Sequence, residues 1–275
     1  MSDPASPLSS AGDRHFDGLA EKFATSLYGG PRGQLRLVLL DRLLPEMLDL
    51  HGQPALEVGG GLGQMSEWLA TRGHAVTLSE PSGEMLALAR ERLVSLPITF
   101  HQQPLQALGE VAPGPWPLVI CHAVLEWMAD PRGAFEALAS LLAPGGQLSL
   151  MVFNRDALRF SNVVKGNLRK VLDDRLAGRG LRQRLTPISP LTHGEIGEWA
   201  EACGLRLTAV AGVRIFHDYL RRPAETRQDH DDLLEIEWRY CRIDPHWRLG
   251  RYLLYTLERP DTHEAKATSS RENNQ

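Results

Sequence analysis

Hydrophobic residues along this chain form short apolar runs that alternate with longer stretches in which apolar positions recur every three or four residues. The short runs are typical of buried strands, and the longer stretches are typical of amphipathic helices. The runs predict seven strands, over residues 54–58, 75–79, 98–100, 117–121, 147–153, 205–213 and 252–257. Alternating strands and helices predict an α/β fold with a mainly parallel sheet.

Two helices are predicted before the first strand. The first covers residues 13–27, and the second covers 33–50. The apolar stripe expected to form the buried side of the second helix comprises Leu35, Val38, Leu39, Leu43, Met47 and Leu48. Arg36 lies off this stripe, so the sequence alone favours a solvated arginine at that position.

The candidate chemistry begins at the turn that follows the first strand. There the chain reads Glu-x-Gly-x-Gly-x-Gly, with Glu57 in the strand and the glycines at 59, 61 and 63. A strand, a tight glycine turn and a helix together form a common binding site for nucleotide-like ligands. A dinucleotide fingerprint requires a third glycine at position 64, where this chain has Gln64. A nicotinamide dehydrogenase is therefore disfavoured, and an ordinary glycine-rich turn is the simpler alternative.

Two polar residues end later strands. Glu80 follows the second strand, 17 residues past Gly63, close to the spacing at which a carboxylate meets ribose hydroxyls. His122 follows the fourth strand, on the side of a parallel sheet where ligands bind. The alternatives are a surface acid for Glu80 and a core histidine for His122. Together with the glycine turn, the ligand-binding interpretation is favoured.

Composition narrows the class of protein. The 275 residues suffice for one large domain or two small ones, and the net charge is −4. No apolar run reaches the roughly 18 residues of a membrane helix, and the Ser-, Pro- and Ala-rich start lacks the pattern of a secretory signal. Three scattered cysteines have neither disulfide nor metal-ligand spacing, so no metal is expected. These features indicate a cytoplasmic protein that does not bind membranes.

One segment departs from the acidic average. Residues 155–184 contain nine bases and three acids, which gives 9 − 3 = +6. Such a run is usually a solvated face. After the fifth strand, however, it would lie beside the ligand site, where a polyanionic substrate would bind.

The glycine motif, Glu80, the residues after strand four and the Pro144-Gly145-Gly146 turn resemble class I S-adenosylmethionine (SAM) methyltransferases. Further blocks resemble the bacterial tRNA 5-carboxymethoxyuridine methyltransferases. They are Phe16-Asp17, Ala20-Glu21-Lys22-Phe23, Tyr28-Gly29, Gly33-Gln34-Leu35-Arg36, His122-Ala123-Val124-Leu125-Glu126-Trp127, Asp130-Pro131-Arg132, Gly212-Val213-Arg214, Phe216-His217-Asp218-Tyr219-Leu220 and Arg239-Tyr240-Cys241-Arg242. The resemblance implies a Rossmann-like, seven-stranded, mostly parallel sheet flanked by helices, with helical insertions after strand five and before the last strand.

The resemblance also implies SAM as cofactor and tRNA as partner, with methyl transfer to the carboxylate of 5-carboxymethoxyuridine at wobble position 34. The expected product is the methyl ester, 5-methoxycarbonylmethoxyuridine. The implied SAM contacts fall on Arg36, Gly59, Gly60, Glu80, Leu105, Gln106 and His122. The acids at 57 and 80 are Glu where the family more often has Asp. Arg214, His217 and Tyr219 offer a guanidinium fork, an imidazole and a phenol to the substrate carboxylate, with strand-end packing as their alternative role.

The expected domain organisation is a disordered leader over 1–12, one methyltransferase domain over 13–258 with a basic insertion over 155–190, and a disordered tail over 259–275. No general base is required, since a carboxylate acceptor is already ionised at neutral pH. Two other functions remain open. One is methylation of a small carboxylic acid or phenol, and the other is a SAM- and tRNA-binding module without catalysis.

Overall fold

The computed structural model describes residues 12–14, 18, 30–178 and 186–261. The predicted helix over 13–27, the leader and most of the tail lie almost wholly outside these residues. So do Arg179, Arg182 and Arg184 of the basic segment.

Seven strands form one sheet in the order β3-β2-β1-β4-β5-β7-β6. Their bounds are β1 Ala55–Val58, β2 Val76–Ser79, β3 Ile98–His101, β4 Trp116–His122, β5 Leu142–Phe153, β6 Arg206–Val213 and β7 Tyr252–Glu258. Strand β7 runs antiparallel to both β5 and β6, whereas the strand pairs from β3 to β5 are parallel. The sheet order reverses between β1 and β4, which is where ligands bind in open α/β sheets.

Helices cover both faces of this sheet. In the described residues they are α1 Pro31–Met47, α2 Gln64–Ala70, α3 Gly83–Arg92, α4 Leu108–Val111, α5 Pro131–Ser140, α6 Arg155–Val164, α7 Leu168–Leu172, α8 His193–Ala202 and α9 Arg227–Tyr240. Short 3₁₀ turns cover Leu105–Ala107, Leu125–Trp127, His217–Tyr219 and His246–Leu249. The fold is thus the predicted Rossmann-like one, with helices inserted after β5 and before β7.

Local sequence explains where several helices begin. Ser82 caps α3, with its hydroxyl accepting from the Met85 amide at 3.3 Å. Thr192 and Glu195 form a reciprocal capping box at the start of α8. These caps satisfy amides that a helix leaves without intrahelical partners.

The buried apolar side chains of the described residues form two large clusters, one on each face of the sheet, and a small third one between β2 and α3. One is built around Phe135 of α5 and Trp199 of α8, whose rings lie 5.9 Å apart. The other contains the leucines of α1, with Leu39 and Leu43 fully buried. The two clusters hold the sheet rigidly between its helices, so the ends of its strands are fixed platforms for side chains.

Helix α1 buries most of the predicted stripe, since Leu39, Leu43, Met47 and Leu48 are buried, but the buried side is shifted toward Arg36. Val38 is 39% exposed, although the apolar stripe placed it inside, and Arg36 is 4% exposed rather than solvated. The buried side follows Arg36, Leu39, Leu40, Leu43 and Met47. This side faces both the sheet and a cavity at its edge, so one buried position takes a polar residue.

Strand β5 begins five residues earlier than predicted. Leu142 already pairs with Trp116, and the register shifts before the pairing between Leu118 and Gln147. The Pro-Gly-Gly turn lies within this irregular start, where Gly145 has a φ of +71°.

Within the residues described, no helix is long and apolar enough to cross a membrane.

Candidate functional site

The glycine turn after β1 forms one wall of a cavity at the carboxyl ends of the strands. Gly59 and Gly61 have φ values of +66° and +56°, which side chains disfavour. A Cβ atom added to Gly59 would lie 2.5 Å from Cγ2 of Val124, in the turn after β4. These two turns therefore approach each other more closely than any side chain at position 59 would allow.

Glu80 ties this turn to the next helix. One carboxylate oxygen accepts a hydrogen bond from the Gly61 amide at 2.9 Å, and the other accepts from the Ser82 amide at 2.9 Å. The side chain is only 5% exposed. Each carboxylate oxygen can accept more than one hydrogen bond, so both can also receive donors from a ligand.

Glu57 lies behind the glycine turn and does not line the cavity. Its carboxyl group accepts a hydrogen bond from the Ser66 hydroxyl of α2. Burial raises its pKa to about 7, against the hydrogen bonds from Ser66, which lower it. The acid of the motif thus fastens the turn to the helix that follows it.

A cavity of about 130 Å³ opens at the carboxyl ends of β1, β2 and β4. The implied SAM contacts that line it are Arg36, Gly59, Glu80, Leu105, Gln106 and His122. Gly60 is in the same turn but does not line the cavity, and its amide donates to the Ser79 carbonyl at 3.0 Å. Residues from five separate parts of the chain therefore meet at one place.

Arg36 enters the cavity from α1. Its guanidinium carbon lies 5.8 Å from the centre of the Tyr252 ring, which also lines the cavity. On the opposite side, Leu105 is 5% exposed, and the Gln106 side-chain amide donates to Asp13 at 2.7 Å. The Gln106 carbonyl oxygen has no hydrogen-bond partner among the residues described.

His122 is held in its neutral form. Nε2 pairs with the Ser149 hydroxyl at 2.9 Å, and Nδ1 has no hydrogen-bond partner in the described part of the chain. Burial, followed by the positive charge of Arg36, lowers the histidine pKa to about 3. The imidazole therefore does not change charge near neutral pH.

Glu126 also lines the cavity, although no role was predicted for it. It is 1% exposed, and burial raises the pKa of its carboxyl to about 8. The sequence feature that could have indicated Glu126 is its position, four residues after His122 in the turn that follows β4. Met65, Met85 and Tyr252 add further lining that no motif marked.

The polar groups that line the cavity match those of an adenosyl amino acid. Glu80 offers acceptors for hydroxyls, and Arg36 offers a cation for a carboxylate. The buried oxygens and nitrogen of Gln64, Gln106 and His122 that lack partners among the described residues are further polar contacts for a ligand. The close approach of backbone at Gly59 completes the cradle.

Comparisons with known proteins agree with this geometry. A family model described as a methyltransferase domain matches residues 33–210. A protein of Escherichia coli (strain K12) named tRNA 5-carboxymethoxyuridine methyltransferase is 38% identical over 262 residues, covering 92% of this chain and 98% of that protein. The chain belongs to this methyltransferase family. It is a SAM-dependent methyltransferase, as the family resemblance in its sequence predicted.

More distant relatives of this methyltransferase share the domain. A Xylella fastidiosa (strain 9a5c) protein named ubiquinone biosynthesis O-methyltransferase is 30% identical over 234 residues, covering 82% of this chain and 90% of that protein. The structure of magnesium protoporphyrin IX methyltransferase from Synechocystis PCC 6803 with bound SAH has a TM-score of 0.58 at 17% identity, covering 89% of this chain and 95% of that one. At that identity the structural likeness supports the fold, and the predicted fold class is confirmed.

The three residues predicted to hold the substrate do not line the cavity of the methyltransferase. Arg214 is 7% exposed and has a φ of +61°. Its guanidinium makes hydrogen bonds of 2.6–2.9 Å to both carboxylate oxygens of Asp218. Burial alone raises the Asp218 pKa, but the charges of Arg214 and Arg251 outweigh it and the net pKa is lowered. The Arg214 fork is thus already occupied.

His217 and Tyr219 belong to the same loop. Burial is the main cause that lowers the pKa of His217. The Tyr219 hydroxyl donates to the Leu249 carbonyl at 2.9 Å, and burial raises its pKa to about 12. Trp127 is 9% exposed and lines the cavity.

The basic segment is partly neutralised by its own acids. Arg155 pairs with Asp174, and Arg159 pairs with Asp156. Asp173 lies 2.7 Å from Arg175 and 3.5 Å from Arg169. Lys165 and Lys170 have no ion pair among the described residues. In the same part of the structure, no cluster of three metal-ligating side chains occurs.

Proposed function

We propose that this enzyme transfers the methyl group of SAM to the carboxylate of 5-carboxymethoxyuridine at wobble position 34 of tRNA, which forms 5-methoxycarbonylmethoxyuridine. The main support is the 38% identity, over almost the whole of both chains, to the Escherichia coli protein whose name gives this substrate. The polar cavity at the switch point of the sheet supports the same reaction. The enzyme would act on tRNA in the cytoplasm.

The proposed reaction requires the protein to position the two reactants, and it does not require a general base. A carboxylate with an ordinary pKa near 4 is ionised at neutral pH. When bound, SAM supplies an electrophilic methyl group. Arg36, Glu80 and His122 would hold the cofactor, with His122 acting through neutral polar contacts. Holding the two reactants in line can lower the barrier by about 7–11 kcal/mol.

The tRNA would be bound outside the cavity. The described part of the basic segment covers α6, α7 and the residues that flank them, and its side chains Lys165 and Lys170 lack ion pairs among the described residues. Cations of this kind release counterions from RNA phosphates on binding. Residues 155–190 would then form the tRNA-facing insertion of one domain that covers residues 13–258.

The decisive experiment uses tRNA from a strain that lacks the gene. Purified enzyme and SAM should convert its 5-carboxymethoxyuridine to the methyl ester, detected by nucleoside mass spectrometry. A small phenol offered under the same conditions serves as the comparison substrate, because methylation of such a molecule is an alternative that the sequence left open. Methylation of the phenol without methylation of the tRNA nucleoside would refute the proposal. SAM binding without methyl transfer to either would favour a non-catalytic binding module.

A variant with Lys165→Ala and Lys170→Ala should raise the Michaelis constant for tRNA and flatten its salt dependence, with SAM affinity unchanged. Arg227→Ala with Arg239→Ala is the matched control, since these exposed cations lie on α9, which is rich in acids. If the lysine variant keeps wild-type kinetics at every salt concentration, these two lysines do not contact tRNA.

A further inference from the structure

Glu126 is the buried acid of the cavity that SAM binding leaves without a role. It belongs to the 3₁₀ turn Leu125–Trp127 that directly follows β4. Strand β4 pairs with β1, with Cys121 opposite Val58, so this turn lies beside the glycine turn. The backbone of Glu126 is also fixed, because its carbonyl accepts a hydrogen bond from the Ser189 amide at 2.9 Å. A carboxyl group is therefore held in place next to the wall expected to carry SAM.

Within the described part of the chain, this carboxyl group is only partly hydrogen-bonded. The side chain is 1% exposed, and its Oε2 atom has no hydrogen-bond partner among the described residues. Leaving such an atom buried costs free energy unless a ligand or water completes its hydrogen bonds. Since Glu126 lines the cavity, the missing partner would come from what binds there.

We propose that the Glu126 carboxyl group donates a hydrogen bond to one oxygen of the methyl-accepting carboxylate. This inference rests on the proposed function, in which the acceptor is an acid. The second oxygen of the substrate carboxylate remains available for the methyl group. Glu126 would thus orient the acceptor, in the role that the sequence had assigned to Arg214, whose guanidinium is bound to Asp218.

The protonation state supports a donor. Burial raises the Glu126 pKa to about 8, although its own amide, the Phe153 amide and the charge of Arg36 lower it. The group is therefore mainly protonated at neutral pH. When two carboxyl groups share a buried site, one of them retains the proton. The substrate acid, with the lower pKa, remains the ionised nucleophile.

Other ionisable groups surround the same cavity from several elements. They are Asp13 and Arg14 from the N-terminal segment, Arg36 from α1, Glu80 after β2, His122 from β4 and Tyr252 from β7. His122 stays neutral across the relevant range, because its pKa is about 3. In the competing arrangement Glu126 is ionised and pairs with Arg36. Removal of its negative charge would then lower kcat/KM, whereas a protonated donor predicts that an uncharged donor at this position keeps kcat/KM.

Two variants of similar size separate these arrangements. Glu126→Gln keeps a hydrogen-bond donor and abolishes ionisation, whereas Glu126→Met keeps the volume and removes the donor. We expect Glu126→Gln to retain kcat/KM for tRNA within a few-fold. Glu126→Met should lower it by about 10- to 100-fold, as expected for one hydrogen bond to a charged group. SAM affinity, measured by calorimetry, should be unchanged in both and shows that each variant is folded.

The pH dependence is the second readout. In the wild type the donor is present below the Glu126 pKa and is lost as the pH rises above it. Both kcat/KM and the affinity of the SAH-bound protein for the modified tRNA should fall above pH of about 8. In Glu126→Gln this alkaline fall should be absent.

The outcomes distinguish this inference from the proposed function. If the wild type methylates the tRNA nucleoside but Glu126→Gln loses activity as Glu126→Met does, or keeps the alkaline fall, the inference alone is wrong. If the wild type does not methylate the nucleoside, the proposed function and this inference fail together. Retained activity in Glu126→Gln, with loss of the alkaline fall, supports both.

Discussion

Replacing Glu80 by alanine tests the assignment of the cofactor site most directly. The change removes a 5% exposed carboxylate that accepts the Gly61 and Ser82 amides, each at 2.9 Å. If the same carboxylate accepts ribose hydroxyls, each lost charge-assisted hydrogen bond weakens SAM binding by about 1.5–3 kcal/mol. The expected loss of affinity is therefore about 10- to 100-fold per hydrogen bond.

Two effects contribute to that loss, and a second ligand separates them. Glu80→Ala also frees the amides that fix the glycine turn, which would weaken binding without any contact to ribose. Calorimetry with SAH and with its 2′-deoxy analogue completes a double-mutant cycle. The wild type should bind the deoxy analogue more weakly, whereas Glu80→Ala should bind the two ligands with nearly equal affinity.

The matched control is Glu91→Ala, which removes an exposed acid from the same helix, α3. Its SAM affinity should equal that of the wild type. Circular dichroism and urea unfolding establish that both variants are folded. Unchanged SAM affinity in a folded Glu80→Ala protein would remove Glu80 from the site. Equal discrimination between the two ligands in wild type and variant would leave Glu80 as a support for the turn only.

Three further predictions follow from buried charges. Arg36→Lys should weaken SAM binding in calorimetry, because lysine lacks the bidentate fork; equal affinity would exclude a contact with the cofactor carboxylate. Burial raises the pKa of Glu57 from 4.5 to about 7, so the free energy of unfolding should fall by on the order of 3 kcal/mol as pH rises between these values. Glu57→Gln should abolish this fall, which urea titrations at pH 5 and pH 8 would measure. Asp218→Ala leaves the buried guanidinium of Arg214 without its carboxylate partner and should lower the free energy of unfolding by about 3–5 kcal/mol. Asp244→Ala, at an exposed ion pair, is the control and should change it little; equal effects of the two variants would refute the importance of the buried pair.

The strands and the glycine turn were predictable because their signals are local. An apolar run that ends in Glu-x-Gly-x-Gly-x-Gly specifies a strand, a left-handed turn and a helix within a few residues. Glu80 followed from spacing alone, since the length of one strand–helix–strand unit brings the ends of β1 and β2 together. The pairing of neighbouring parallel strands was thus already contained in the sequence pattern.

The burial of Arg36 was not predictable from the pattern of α1. Helical periodicity reports which side is apolar, but a side that faces a polar cavity also takes charged residues. For the same reason Glu126 had no assigned role, because the place of its carboxyl group in the cavity lining depends on tertiary packing. The Arg214–Asp218 pair has helical i, i+4 spacing but forms in a 3₁₀ loop, and only the structure shows that the fork is occupied.

The cavity carries few permanent charges in its buried lining, and this suits the proposed reaction. His122 is neutral because its pKa is about 3, and Glu126 is mainly neutral because its pKa is about 8. Arg36 and Glu80 remain as the buried ions, each in a place that a zwitterionic cofactor with ribose hydroxyls can match.

Transfer of a methyl group from a sulfonium to a carboxylate converts a cation and an anion into two neutral products. A site that replaces water by apolar walls and neutral dipoles favours this loss of charge, because attraction between the opposite charges increases as the dielectric falls. A fixed cation placed directly on the acceptor would oppose it by stabilising the carboxylate before transfer. A neutral donor at Glu126 orients the acceptor without that penalty, and this is the physical reason to expect a carboxylic acid, rather than the Arg214 guanidinium, beside the reacting oxygen.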